Sequence, residues 1–289
     1  MNRFLLGPTS LLLLWASVAT AQVPTYLRSW PTFGALPLGL ATAGTARLYM
    51  VDERGIVWMY AQTGTTLCDI TSHSGQEGYG VAVLSDGTVV AAEHTGPLVD
   101  RTSMFCVPIS SWSTGGPATY LAVDDADNVY VTEDISDKVQ VFTKAGAFIR
   151  EWPSPHPTGI AIHAGVVYVV GRLDGVVHSY LLDGTPVGSF AHGLCCPDQL
   201  AADAFGRLYA ADKSLGQIRC FAADGTGLWT LGPNVSGYPY NPARFVSVTV
   251  SGDGTIFAGD YDHRRFVVLG AGPTPALRSS FGALKAHYR

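Results

Sequence analysis

The stretches RLYMVDE (47–53), TVVAAEH (88–94), NVYVTED (128–134), VVYVVGR (166–172), RLYAADK (207–213) and TIFAGDY (255–261) decide the fold. Each is a short apolar strand running into a polar turn. Five of the six end on an acid (Asp52, Glu93, Glu133, Asp212 and Asp260), and Gly171 holds the place in the remaining copy. Successive copies of that position are 41, 40, 38, 41 and 48 residues apart. A period near 40 residues, filled by short strands, marks a radial repeat.

Working outward, a first strand precedes each of these: LGLATAG (38–44), YGVAVLS (79–85), YLAVDDA (120–126), GIAIHAG (159–165), QLAADAF (199–205) and VSVTVSG (246–252). A small residue recurs at its centre: Ala41, Ala82, Ala122, Ala161, Ala201 and Thr249. Strands crowded around a common axis need small side chains there. Third strands follow the acid, at 55–61, 138–144, 175–181, 217–223 and 265–271, and outer strands come next at 147–152, 186–190, 227–231 and 276–281. Asp-Gly turns at 86–87, 183–184, 224–225 and 253–254 separate them. Helical periodicity is absent after residue 22. The expected fold is therefore all-β: a six-bladed β-propeller of four-stranded antiparallel blades. Blade 2 reads as irregular, because HTGPLVDRTSMFCVPISSW (94–112) lacks clean third and fourth strands. Both YLRSWPTFG (26–34) and ALRSSFG (276–282) have the character of an outer strand. The N-terminal one is favoured to complete the last blade, since mixing both termini protects the sheet edge.

Composition agrees with one well-buried domain. Of 289 residues, 47% are hydrophobic and 14% are charged, against about a quarter charged in ordinary domains. The net charge of −5 argues against nucleic acid and anionic membranes as main partners. Residues 1–21, MNRFLLGPTSLLLLWASVATA, read as a secretory leader: Arg3, an apolar centre at Leu11–Leu14, and a small-x-small cleavage signal at Ala19-Thr20-Ala21. Its removal leaves a single domain over 22–289 and a charge of −6. No later segment is apolar enough to span a membrane. Secretion places Cys68, Cys106, Cys195, Cys196 and Cys220 in an oxidising compartment. A bridge from Cys195 or Cys196 to Cys220 is preferred to redox chemistry at the vicinal pair, and the odd count leaves at least one thiol unpaired.

The repeat resembles the NHL repeat. Blade 3 carries the resemblance in Leu121-Ala122-Val123-Asp124, Val129-Tyr130-Val131-Thr132-Glu133 and Lys138-Val139-Gln140-Val141-Phe142. Blade 4 does so in Pro157-Thr158-Gly159-Ile160-Ala161-Ile162, and blade 5 in Leu208-Tyr209-Ala210-Ala211-Asp212. The resemblance spans about residues 26–282 and implies a propeller; such propellers host enzymes, sensors and scaffolds alike.

Function must then come from positions that break the repeat. Glu93, His94, Tyr120, His156, Arg172, Asp198, Arg244, Asp260, Asp262 and His263 are the candidate ligand contacts on the face where first strands begin and second strands end. Tyr79, Asp134, Gln199, Lys213 and Tyr261 belong to the same loops. The recurrent acids themselves read as turn caps, with Glu133–Lys138 and Asp260–Arg265 at pairing distance in sequence. No recognised metal spacing and no G-x-S-x-G nucleophile elbow is present. No cofactor is expected. Calcium is the one alternative, at Asp124-Asp125-Ala126-Asp127-Asn128, where a hairpin is the preferred reading. The leading expectation is a secreted module that binds a protein or small ligand through these loops. The alternatives are enzymes. The gluconolactonase group resembles this chain through axial acids such as Glu93 and Asp260, although its Asn-Gly motif is absent. The peptidyl-hydroxyglycine amidating lyases resemble it through Cys196-Pro197.

Overall fold

The computed structural model describes residues 22–71, 77–191 and 193–270. These form six four-stranded antiparallel sheets, with no helix among the described residues. In blades 1 to 5 the strands follow chain order outward from the axis, beginning with the inner strands Gly39–Ala43, Gly78–Val83, Leu121–Val123, Pro157–His163 and Pro197–Ala202. Blade 6 starts at Phe245–Val250 and takes its outer strand from the other end of the chain: Thr25–Pro31 pairs antiparallel with Arg265–Gly270. The N-terminal strand closes the ring, as its sequence favours. The leader and the segment 276–281 lie outside the described residues.

Blade 2 is complete, contrary to its sequence reading, with outer strands Leu98–Thr102 and Pro108–Ser113 in register. Their turn uses no Asp-Gly. Instead the Ser103 hydroxyl accepts the N–H groups of Phe105 and Val107, and Cys106 takes a positive φ of 63°. The preferred disulfide is also corrected. The bridge is Cys68–Cys106, which ties the outer strand of blade 1 to this turn of blade 2. Cys195 and Cys196 are exposed and Cys220 is buried. Cys195 sits at the Asp212 end of blade 5, its N–H donating to that carboxylate, whereas Cys220 lies opposite Tyr209. Three residues of strand, about 10 Å, separate the two levels.

Blades lock to one another through an aromatic residue near the outer edge. Trp30, Trp112, Trp152 and Phe190 each lie against a turn glycine of the next blade: Gly64, Gly146, Gly184 and Gly225. A Cβ on any of these glycines would stand 2.5–2.9 Å from a ring atom, and all four have φ between 87° and 99°. Glycine is thus required twice over, for backbone conformation and for ring contact.

The hub is built the same way. The six small residues predicted at the strand centres, Ala41, Ala82, Ala122, Ala161, Ala201 and Thr249, all line an axial cavity of about 270 Å³. Two positions earlier in each strand stand Gly39, Gly80, Tyr120, Gly159, Gln199 and Ser247. The glycines leave room for the two long side chains. The Tyr120 hydroxyl donates to the Leu38 carbonyl at 3.3 Å. Gln199 Oε1 accepts the N–H of Leu40 and of Val248, and its Nε2 donates to the Leu40 carbonyl at 2.7 Å. Tyr120 and Gln199 therefore span the axis and floor the loop-bearing face. At Gly159 an added Cβ would strike Leu200 N and sit 2.7 Å from Asp198 O, both of them backbone. Gly159→Ala is expected to cost about 1–3 kcal/mol, read from urea unfolding; an unchanged midpoint would show that the blade 4–5 contact yields freely.

Candidate functional site

The strand-ending acids are mostly structural. Asp52 accepts the N–H of Arg54 and Ile56 and the Trp58 indole N–H. Asp212 accepts the N–H of Cys195 and Leu215. Asp260, fully buried, accepts the Arg244 N–H and the Tyr238 hydroxyl and pairs with His263 Nδ1 at 2.8 Å. Its expected partner Arg265 instead lies over the Tyr240 ring, 4.4 Å from the centroid. Lys138 does reach Glu133, at 3.7 Å. Blade 4 explains its own exception: a Cβ at Gly171 would collide with the Asp174 carboxylate, which occupies the vacated space and accepts the Val176 N–H. The acidic run at 124–128 is a hairpin. Asp124 Oδ1 accepts two backbone N–H groups and its Oδ2 accepts from Asn128 and Tyr130.

What converges at the axis is a different set. Over the Tyr120 floor, Tyr79 packs edge-on against His94 (centroids 4.4 Å apart) and against Tyr120 (6.0 Å). Arg172 of blade 4 pairs with Asp134 of blade 3 at 3.3 Å, and Thr119 Oγ1 donates to the same carboxylate. Lys213 pairs with buried Asp198 at 3.6 Å and stands 5.1 Å from the Tyr261 ring centroid. Arg244 covers that ring at 4.5 Å and pairs with Asp262. Five blades thus contribute side chains that the repeat does not dictate. Of the predicted contacts, His94, Tyr120, Arg172, Asp198, Arg244 and Asp262 belong to this assembly. Glu93 is buried within blade 2, Asp260 and His263 bind each other, and exposed His156 pairs with Asp137. Thr119, which donates to Asp134, and Glu77, whose carbonyl accepts the His94 N–H at 2.6 Å, join this assembly although neither carries a repeat signal or a motif in the sequence.

Burial sets the electrostatics. It depresses the His94 imidazolium, with Asp134 pulling the other way, so the ring is neutral at physiological pH. The buried Nδ1 of His94 has no hydrogen-bond partner among the described residues, which leaves the tautomer unfixed. Burial, then Glu77, raises the Tyr79 hydroxyl to about 12. Burial pushes the Asp198 carboxyl up, while Lys213 and Arg172 pull it back.

A raised carboxyl means that the folded state takes up a proton before the unfolded state does. Asp198 ionisation therefore costs stability as pH rises through the window above the unfolded value of about 3.9. Asp198→Asn is expected to stabilise the protein at pH 7 by about 0.5–2 kcal/mol. That advantage should shrink as pH falls towards 4. A variant less stable than wild type at pH 7 would show that the Lys213 pair outweighs desolvation.

No protein-family model and no curated protein matches the chain. Solved structures do resemble it. A streptogramin B lyase superposes with a TM-score of 0.64 at 11% identity, covering 86% of this chain and 98% of that one. A protein of unknown function from Bacteroides caccae superposes with a TM-score of 0.59 at 16% identity, covering 69% and 82%. At these identities the likeness shows the fold alone, and the six four-stranded sheets of this chain make it a six-bladed β-propeller.

Proposed function

We propose that this chain is a secreted propeller of NHL type that binds a small polar ligand at the axial mouth formed by His94, Tyr79, Asp134, Arg172, Asp198 and Lys213. The observation that carries the reading is the convergence of these non-repeating polar side chains over Tyr120 and Gln199. A buried acid, an imidazole nitrogen without a partner among the described residues and two loosely paired cations are arrangements that packing alone does not call for. Secretion is supported by the leader read at residues 1–21 and is in keeping with the Cys68–Cys106 bridge.

The test is thermal unfolding of the mature chain against a panel of amino acids, carboxylates, amines and monosaccharides. A true ligand at a hundred times its Kd adds about 2.7 kcal/mol. Arg172→Ala/Lys213→Ala should abolish that gain. No shift across the panel, or shifts that survive in the double variant, would overturn the reading.

One observation favours a second reading, in which the mouth is catalytic. Neutral His94 has the protonation state of a general base, and a structural neighbour of this chain is a lyase. Here His94→Gln would keep ligand affinity and lose turnover, whereas a pure binding site has no turnover to lose.

A further inference from the structure

Inside the mouth, charge is balanced rather than one-sided. Glu77, Asp134 and Asp198 all act on His94, and so does Arg172; Lys213 stands on Asp198. A simple anion entering here meets three carboxylates, and a simple cation meets Arg172 and Lys213. A head group carrying both charges satisfies both sets, its carboxylate on the guanidinium and ammonium and its amine on Asp134 or Asp198.

Just outside, one arc of the rim is apolar. The top loops of blades 3, 4 and 5 present Ile135, Leu173 and Leu215, which are 72%, 69% and 46% exposed. Each follows closely on a charged residue of the mouth: Asp134, Arg172 and Lys213. Between the Ile135 loop and the connection from blade 3 to blade 4 lies a groove of about 450 Å³ lined by Asp137, Pro153, Ser154, Pro155 and His156. Asp137 belongs to the loop of Ile135. The His156 carbonyl accepts the Arg172 N–H beside Leu173. That backbone bond ties the wall of the groove to the loop that carries Arg172.

Building on the reading of the mouth as a small-molecule site, we propose that its ligand is a zwitterionic amphiphile. The α-amino-acid-like head sits between the Asp134–Arg172 and Asp198–Lys213 pairs. An unbranched apolar tail runs out over Ile135 and Leu173 along the groove between blades 3 and 4.

The probes are straight-chain α-amino acids from alanine to 2-aminooctanoate, with octanoate and octylamine as single-charge controls, titrated calorimetrically into the intact mature protein. Affinity should rise by up to about 4-fold per methylene, and both controls should bind at least about 10-fold more weakly than 2-aminooctanoate. Ile135→Ser/Leu173→Ser, both at exposed positions that leave the core untouched, should flatten the length dependence and leave alanine binding unchanged. Binding of the whole series without length dependence, or length dependence that survives in the variant, would remove the tail from the proposal while the mouth stands. Controls as tight as 2-aminooctanoate would remove the zwitterionic head. If no member of the series binds, the proposal fails; sugars or other classes in the broader panel then decide the fate of the mouth itself.

Discussion

Trp30→Ala is expected to lower the unfolding free energy by about 3–5 kcal/mol. Along the N-terminal strand Thr25–Pro31, Trp30 is the one buried residue. Its ring lies 5.6 Å from Phe266 and 6.3 Å from Phe257 in blade 6. It also covers Gly64 in blade 1, so it fastens the closing strand on both sides of the seam. Six blades buried face to face depend on that seam, because an open ring would expose both the inner face of blade 1 and the edge of Arg265–Gly270. Urea unfolding followed by tryptophan fluorescence would be confounded by the substitution, so far-ultraviolet circular dichroism is the suitable probe. A loss below about 1 kcal/mol would mean that the ring holds without this contact. Trp112→Ala and Trp152→Ala remove the same aromatic–glycine contact away from the seam, and they separate loss of closure from loss of packing.

The second large effect belongs to the disulfide. Cys68 and Cys106 close a loop of 38 residues, for which the chain-entropy account gives about 4 kcal/mol. The bridge joins the outer parts of blades 1 and 2, where Thr66–Thr71 and Pro108–Ser113 are the edge strands of their sheets. Cys68→Ser/Cys106→Ser should unfold at lower denaturant concentration. Reduction of the wild type should bring it to the same midpoint, while the variant ignores the reductant. If reduction leaves the wild type unmoved, the bridge contributes nothing to stability.

Much of this was legible in the residues, and what was not has identifiable causes. Periodicity exposed the blades because inner strands repeat their packing: Ala41, Ala82, Ala122, Ala161 and Ala201 face one cavity. Closure by residues 25–31 was legible because they have the character of an outer strand and because mixing both termini in the last blade protects its edge. Blade 2 hid its outer strands because a serine and a positive-φ cysteine make its turn in place of Asp-Gly. The Cys68–Cys106 pair joins different blades, and no within-blade spacing reveals how neighbouring outer strands align. At the mouth, loop positions were readable but side-chain direction was not. Arg172 and His156 occupy neighbouring loops joined by a backbone hydrogen bond, yet the first reaches Asp134 near the axis and the second Asp137 at the rim.

Ring closure by the N-terminal strand sets a timetable for synthesis. Ser29 and Arg265, which meet across the last sheet, are 236 residues apart. At about 5–20 residues per second, the strand that leaves the ribosome early waits roughly 12–50 s for a partner made near the end. Throughout that wait the nascent chain carries an unsatisfied β-edge, which is a template for pairing with other polypeptides. A chaperone that holds extended segments is therefore expected to raise the yield of this protein more than its finished stability would suggest.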